Sequence, residues 1–226
     1  MTGFSGAIFD LDGTLLDSMG VWEEIDAAFL NRRGFEVPAD YLQAVAPLGF
    51  RAAADYTIRR FGLRESAEAL IEEWDTLAVE AYQVRVPLKS GARQYLLSLK
   101  ERGVRLAVAT ASREAYYVPA LKNNGIYEWF DAFTSLSEVE RGKGYPDVYW
   151  RAAEKIGVPP SDCAVFEDIL AGVRGAKAGG FYTVAVYDSH SAADRPMLEQ
   201  EADRYIEGFH ELLKADPEPA ASKKDR

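Results

Sequence analysis

The segment at residues 7–18 reads AIFDLDGTLLDS and carries two carboxylates, Asp10 and Asp12, two residues apart. They follow a short apolar run that is typical of a buried strand, so their side chains can share one face of the strand end. Two anions this close in a low-dielectric cleft are costly unless a cation, a proton or hydrogen bonds compensate them. A hard divalent cation meets that need. Gly13 permits a tight turn, and Thr14 can hydrogen-bond the nearby backbone, which together would hold both acids in a fixed orientation.

The composition disfavours several other chemistries. The single cysteine, Cys163, leaves no internal disulfide and no thiolate cluster for zinc or iron–sulfur, and it lies in an apolar run that is typical of a buried strand. The histidines, His190 and His210, lie late in the chain and away from the acidic segment, so we interpret both as surface residues. A formal charge of −10 disfavours nucleic acid and anionic lipid as partners. It is compatible with a small phosphate ester, since a magnesium ion and one lysine can reverse the field inside a pocket.

Nothing in the sequence predicts a membrane span or a secretory signal. Hydrophobic residues make up 48% of the chain, but no apolar run approaches the roughly 20 residues that cross a bilayer. The N-terminus passes from Met1 into the apolar run at residues 7–9 without a basic segment or a cleavage site. We therefore expect a soluble, cytoplasmic globular protein, whose oligomeric state the sequence leaves open.

Short apolar runs alternate with helical patterns along most of the chain. We predict strands at residues 7–11, 104–109, 163–166 and 181–186. Between them the sequence predicts helices at residues 91–102, 113–124, 147–156 and 169–178. Strands that alternate with helices in this way form a parallel sheet covered on both faces, with the functional site at the carboxyl ends of the strands. The predicted fold class is α/β, with a doubly wound parallel sheet.

Residues 17–86 interrupt this alternation, because they contain helix after helix and no convincing strand. The clearest pattern spans residues 65–82, where apolar residues recur every three or four positions. We therefore predict an inserted domain of about four helices at 17–86, within a core domain at 1–16 and 87–214. Residues 215–226 are rich in Pro, Ala and charge, so we predict a flexible tail.

The acidic segment resembles the first motif of the haloacid dehalogenase superfamily, in which Asp-x-Asp-x-Thr follows an apolar strand. Three further motifs of that family have counterparts here in the same order. They are Thr110 at the end of an apolar strand, Lys143 before a helix, and the acidic pair Glu167 and Asp168 before a helix that contains glycine. The resemblance covers about residues 7–210, and it implies a Rossmann-like core with a small helical cap of the C1 type.

This resemblance also implies an activity, the transfer of phosphate from a small phosphorylated metabolite with Mg²⁺ as cofactor. Asp10 would attack phosphorus and form an aspartyl-phosphate, and Asp12 would protonate the leaving alkoxide and later activate water. The implied Mg²⁺ ligands are Asp10, the backbone carbonyl of Asp12, Asp168 and Glu167, the last either directly or from a greater distance. The implied phosphate-binding groups are Thr110, the backbone N–H of Ala111 and Lys143.

Two features of the sequence narrow the choice within the superfamily. Asp12 argues against a dehalogenase, which needs no acid for its leaving group. Residues 17–86 hold no lysine that could form the Schiff base of a phosphonate-cleaving member. A phosphatase is therefore favoured. One alternative is a sugar phosphate mutase of the β-phosphoglucomutase type, against which Trp22 stands where those enzymes carry a histidine. The other is a catalytically silent binding protein with the same fold.

The organic part of the substrate is less well indicated. Arg51 and Trp22, both within the predicted cap, are the candidates for substrate specificity, although a solvated surface charge is the simpler interpretation of Arg51. Gly144 and Tyr145 stand where the family commonly has Pro-x-Pro after the lysine, so we expect a looser loop around Lys143.

Overall fold

A computed structural model of the protein describes residues 3–45, 48 and 50–215. Its strands are β1 (Gly6–Phe9), β2 (Arg105–Thr110), β3 (Ala132–Ser135), β4 (Cys163–Glu167), β5 (Tyr182–Val186) and β6 (Arg204–Ile206). Its α-helices are α1 (Met19–Arg32), α2 (Tyr41–Val45), α3 (Phe50–Phe61), α4 (Ala67–Val84), α5 (Ala92–Glu101), α6 (Glu114–Asn123), α7 (Asp147–Ile156), α8 (Leu170–Ala178), α9 (Arg195–Glu201) and α10 (His210–Ala215). Apart from Ala215, the predicted tail lies outside the described residues.

The six strands form one parallel sheet in the order β3-β2-β1-β4-β5-β6. The order reverses beside β1, which pairs with β2 on one side and β4 on the other, as in a doubly wound fold. The predicted fold class is confirmed, including the four helices α1–α4 inserted after β1. The sequence analysis missed the edge strands β3 and β6, which are only four and three residues long.

The central strands are buried on both faces, which accounts for their nearly continuous apolar sequences. Every residue of β1 and β4 is buried. Phe9 of β1 stacks on Phe166 of β4 with ring centroids 4.4 Å apart, and Tyr95 and Phe209 contact the Phe166 ring. This packing fixes the two strand ends from which the acidic residues follow.

The helices α1–α4 and α6 form a compact unit of their own, Ser18–Val86 together with Glu114–Asn123. Within it Phe29 of α1 packs against Trp74 of α4 with ring centroids 5.4 Å apart. The Arg33 guanidinium lies 3.7 Å from the centroid of the Phe29 ring and pairs with Glu73 at 2.6 Å. We refer to these residues as the helical unit. Across the described residues, no helix combines the length and apolar character that crossing a bilayer requires.

The helix α6 lies outside the predicted insert but belongs to the helical unit by its contacts. Its Tyr116 ring lies 5.4 Å from the ring of Tyr82 in α4, and its hydroxyl donates to the carboxylate of Asp75. The sequence placed residues 113–124 in the core domain, because they follow a predicted strand as a crossover helix does. Local alternation of strand and helix carries no information about which neighbour covers a helix.

The rest of the described chain, residues 3–17, 87–113 and 124–215, forms another compact body, which we call the first unit. The two chain segments that flank the insert run side by side within this unit. Leu16 and Leu88 form an antiparallel bridge. The Asp17 N–H donates to the carbonyl of Pro87 at 3.0 Å, and the Lys89 N–H donates to the carbonyl of Leu15 at 2.8 Å. These bonds satisfy backbone groups at the point where the chain leaves the sheet and returns to it.

Helix α8 approaches the loop that carries Lys143 without a side chain between them. An added Cβ at Gly175 would overlap the carbonyl oxygen of Lys143 and would lie 2.9 Å from that of Tyr145. Because both atoms belong to the backbone, the helix or the loop would have to move to make room.

We expect Gly175→Ala to lower the free energy of unfolding by about 1–3 kcal/mol, the usual cost of overpacking. Urea unfolding followed by circular dichroism measures the change. Gly142→Ala is the matched control in the same loop, because an added Cβ there meets nothing within 4 Å, and it should change stability by less than about 0.5 kcal/mol. Equal effects of the two substitutions would contradict the close approach at Gly175.

Candidate active site

Three buried carboxylates meet where β1 and β4 end. The backbone N–H of Asp10 donates to the carbonyl of Phe166 at 3.0 Å, which ties the first residue after β1 to the strand beside it. One carboxylate oxygen from each of Asp10, Glu167 and Asp168 lies within 4.8 Å of the others. We refer to these three residues as the acidic cluster. Parallel pairing of β1 with β4 brings together residues that are more than 150 positions apart.

Lys143 supplies the positive charge of this site. Its Nζ lies 2.7 Å from Oε1 of Glu167 and also contacts Oδ1 of Asp10. The lysine side chain is 8% exposed, so water screens these ion pairs little. The predicted looseness of the loop at Gly144 is offset by the close packing of this loop against Gly175 of α8.

Tyr149 is a site residue that the sequence analysis did not identify. It lies in α7 and is fully buried, and its hydroxyl donates to Oε1 of Glu167 at 2.8 Å. Within the apolar pattern of residues 147–156, a tyrosine is expected to be a packed core residue. Only the tertiary structure reveals its hydrogen bond.

Thr14 hydrogen-bonds a carboxylate directly, which the sequence analysis did not predict. Its side chain donates to Oδ1 of Asp168 at 2.9 Å and lies 3.4 Å from Oδ2 of Asp10. The predicted bond from the Thr14 side chain to nearby backbone is not the one formed. Because the hydroxyl has one proton, the shorter contact to Asp168 receives it.

Gly13 makes the turn between the two aspartates and the rest of the motif. Its φ is +80°, a left-handed conformation that favours glycine. An added Cβ would also overlap the carboxylate of Asp168. The glycine therefore allows both the turn and the close approach of Asp168. Sequence analysis predicted the turn but not the approach of Asp168.

The other active-site residues predicted outside the helical unit lie around the same strand ends. Asp12 is half-buried two residues beyond Asp10, and its carboxylate is not part of the acidic cluster. Thr110 is buried at the end of β2, and its Oγ1 accepts the backbone N–H of Ser112 at 2.9 Å. Ala111 follows it in an exposed bend.

The two specificity candidates, Arg51 and Trp22, lie in the helical unit. Arg51 is 64% exposed, and it pairs with Glu68 and, at 3.6 Å, with Asp55. Trp22 is half-buried in α1. Its ring makes an edge contact with Tyr116.

Burial dominates the protonation of the acidic cluster. It raises the pKa of Asp10, against the opposing effect of Lys143. It raises the pKa of Asp168 well above its ordinary value, and the charges of Asp10 and Glu167 add to that effect. Burial also raises the pKa of Glu167 to about 7. For Lys143 burial favours the neutral amine, but the carboxylates of Asp10 and Glu167 outweigh it and raise its pKa.

A divalent cation fits this arrangement. Three buried carboxylates face one ammonium, so the cluster carries negative charge that the protein itself does not neutralise. The second oxygen of Glu167, Oε2, is buried and has no hydrogen-bond partner among the described residues. Carboxylate oxygens are the donors that hard divalent ions prefer.

Comparison with known proteins identifies the family. The family model of haloacid dehalogenase-like hydrolases matches residues 4–180, so the chain belongs to this family. It is 30% identical over 201 residues to validoxylamine A 7'-phosphate phosphatase of Streptomyces hygroscopicus subsp. limoneus, which covers 82% of this chain and 87% of that protein. It is also 30% identical over 197 residues to hexitol phosphatase A of Escherichia coli strain K12, covering 86% and 87% of the two chains. The prediction of a phosphatase of this family is thereby confirmed.

Solved structures share the fold at lower sequence identity. One, from Thermotoga maritima, is described as a β-phosphoglucomutase and superposes with a TM-score of 0.84 at 22% identity, covering 94% of this chain and all of that one. CbbY from Rhodobacter sphaeroides, in complex with phosphate, superposes with a TM-score of 0.73 at 22% identity, covering 92% and 96%. At this identity the likeness establishes the fold alone.

In the absence of metal, Glu167 should make folding less favourable as pH rises. Its pKa is about 7 in the folded chain and 4.5 ordinarily, so between these pH values the folded chain binds more protons than the unfolded one. The Tm of the wild type in EDTA, measured relative to that of Glu167→Gln, should therefore be lower at pH 8 than at pH 5. Added magnesium should raise the wild-type Tm more at pH 8, because the ion binds ionised carboxylates.

Glu201→Gln is the control for that measurement. The Glu201 carboxylate is paired with Arg174, which lowers its pKa below 4.5, so its contribution to stability is already present at pH 5 and changes little up to pH 8. A wild-type Tm that does not fall relative to Glu167→Gln between pH 5 and pH 8 would contradict the raised pKa of Glu167.

Proposed function

We propose that this enzyme is a magnesium-dependent phosphatase that hydrolyses small phosphate monoesters, sugar and polyol phosphates among them, through a phosphorylated Asp10. The observation that carries the proposal is the position of the Asp10 carboxylate, which contacts the ammonium of Lys143 and lies beside two further buried carboxylates. Phosphoryl transfer needs a positioned nucleophile and balanced charge, and this cluster supplies both.

Asp10 is the nucleophile in this proposal. One of its carboxylate oxygens attacks phosphorus, the new P–O bond forms as the ester bond breaks, and the alcohol leaves with a proton. Water then attacks the same phosphorus, which releases inorganic phosphate and restores the carboxylate. Lys143 against Oδ1 and Thr14 near Oδ2 restrict the rotation of the side chain, which favours in-line attack.

Asp12 is the general acid and base. It is half-buried and is separate from the acidic cluster, so its carboxyl can exchange protons with substrate and water. It donates a proton to the leaving alkoxide in the first step and accepts one from the attacking water in the second.

Magnesium is the cation we propose for the acidic cluster. Asp10, Asp168, Glu167 and the backbone carbonyl of Asp12 are its proposed ligands. When bound, the ion would neutralise negative charge on the phosphoryl oxygens. Thr110, the backbone N–H of Ala111 and the Lys143 ammonium are the proposed donors to those oxygens.

The relatives support a carbohydrate-like substrate. Their names specify validoxylamine A 7'-phosphate, hexitols and, for a Thermotoga maritima protein 24% identical over 173 residues, phosphorylated carbohydrates. A formal charge of −10 agrees with a small metabolite of the cytoplasm rather than nucleic acid or an anionic lipid surface. Within the helical unit, Arg51 and Trp22 are our candidates for selecting the organic group.

Asp10→Asn should reduce phosphate release from sugar phosphates and p-nitrophenyl phosphate to below about one per cent of the wild type, because an amide is a far poorer nucleophile. EDTA should abolish wild-type activity, and magnesium should restore it. Phosphate release is measured colorimetrically, with mass spectrometry to exclude deamidation of the variant. Asp194→Asn, an exposed site in the same unit, is the matched control and should retain full activity. Turnover in excess EDTA, or in Asp10→Asn, would overturn the proposal.

Asp12→Asn should differ in how its effect depends on the leaving group. Loss of the acid should cost on the order of 10²–10⁴-fold with a sugar phosphate, whose alkoxide needs a proton. The loss should be much smaller for p-nitrophenyl phosphate, whose phenolate leaves readily. The measurement is kcat for the two substrates in wild type and variant. Equal losses on both would remove Asp12 from the acid role.

A further inference from the structure

A cavity of about 180 Å³ lies inside the helical unit, and none of its lining residues belongs to the acidic cluster. At about 10–15 Å³ for each water-sized probe, it has room for roughly a dozen non-hydrogen atoms. It is lined mainly by apolar and aromatic side chains, which include Trp22, Tyr41, Leu48, Ala53 and Trp74. One acid, Asp26 of α1, is also part of the lining, and none of the described lining residues is basic.

The Asp26 carboxylate has no cationic partner among the described residues. Burial raises the pKa of Asp26 to about 6, against a smaller opposing effect of the Tyr41 hydroxyl, which itself hydrogen-bonds Thr57 at 2.8 Å. At neutral pH the group therefore remains mostly ionised. A negative charge in an apolar cavity is costly when no cation compensates it.

No ion pair joins an arginine of the helical unit to Asp26 among the described residues, and four of these arginines pair with other acids. Arg33 pairs with Glu73 and Glu65, and Arg60 pairs with Asp40. Arg51 and Arg85 likewise pair with Glu68 and Glu24. Among the described residues, none is thus seen to supply a positive charge to Asp26.

The aromatic lining favours the same sign of charge. Trp22, Tyr41 and Trp74 line the cavity, and aromatic rings of this kind attract cations over their faces.

We infer that this cavity binds a small organic cation, whose ammonium group pairs with Asp26 beside the aromatic side chains of the lining. An anion would be repelled by Asp26, and a purely apolar ligand would leave the carboxylate unpaired. A single carboxylate offers too few oxygen ligands for a metal ion. A neutral polyol would leave the charge uncompensated, so an organic ammonium, for which an amino sugar serves as a probe, is the class that fits the cavity.

The test is a matched pair of probes, D-glucosamine and D-glucose, which have the same ring and differ by an ammonium in place of a hydroxyl. The chain has four tryptophans, of which Trp22 and Trp74 line the cavity. In a Trp129→Phe/Trp150→Phe background, intrinsic fluorescence therefore reports on the cavity. We expect a saturable change with D-glucosamine, and a dissociation constant at least tenfold higher for D-glucose. Because neither probe carries phosphate, the result does not depend on the proposed phosphatase activity.

Asp26→Asn in the same background removes the negative charge of the cavity and keeps the size of the side chain. It should weaken D-glucosamine binding about tenfold and leave the two probes within about threefold of each other. Asp55→Asn removes the same charge at a site on α3 outside the cavity lining, and should keep the wild-type preference. Thermal unfolding verifies that each variant is folded. Equal binding of both probes to the wild type would mean a neutral polyol site, and no response to D-glucosamine up to about 50 mM would mean no site of this kind. Either result overturns the inference.

Discussion

The burial of three carboxylates beside a single ammonium is the constraint on which the structure of the first unit depends. Carboxylates removed from water are stabilised only by hydrogen bonds, positive charge or protonation. Lys143, Thr14 and Tyr149 provide part of this compensation, and each comes from a different part of the chain. The turn after β1, the loop before α7 and the helix α7 itself must therefore be placed together for the cluster to exist.

Close backbone approach makes that placement feasible. Gly13 turns with a φ of +80° and lets the Asp168 carboxylate lie against the chain. Gly175 lets α8 lie directly against the loop of Lys143. In both places the absence of a side chain brings a charged group toward the strand ends. The positions of the charged groups in the site therefore depend on how closely the core packs. The carboxylates that follow β1 and β4 need no glycine of this kind to meet, because the parallel pairing of the two strands already aligns their ends.

Much of this domain follows from sequence, because its determinants are local. Apolar runs predict β1, β2, β4 and β5, and polar residues at their ends predict the location of Asp10, Thr110 and Asp168. A local sequence pattern does not identify which residue a side chain contacts in the folded protein. Tyr149 has the apolar spacing of a core residue, and only the fold brings its hydroxyl to Glu167. The membership of α6 in the helical unit is likewise a tertiary property, since its Tyr116 contacts residues of α4 that are remote in sequence.

The same electrostatic rule gives different results at the two sites with buried acid. In the acidic cluster the carboxylates outnumber the ammonium, they are acceptors only, and a small hard cation with several oxygen ligands suits them. At Asp26 a lone carboxylate stands among aromatic rings, where a soft organic cation gains from both the charge and the ring faces. Ligand class is thus set by how many oxygens share the excess charge and by what surrounds them. The presence of an acid alone does not set it, since Glu68 and Asp40 in the same helical unit are neutralised by arginines and remain surface ion pairs.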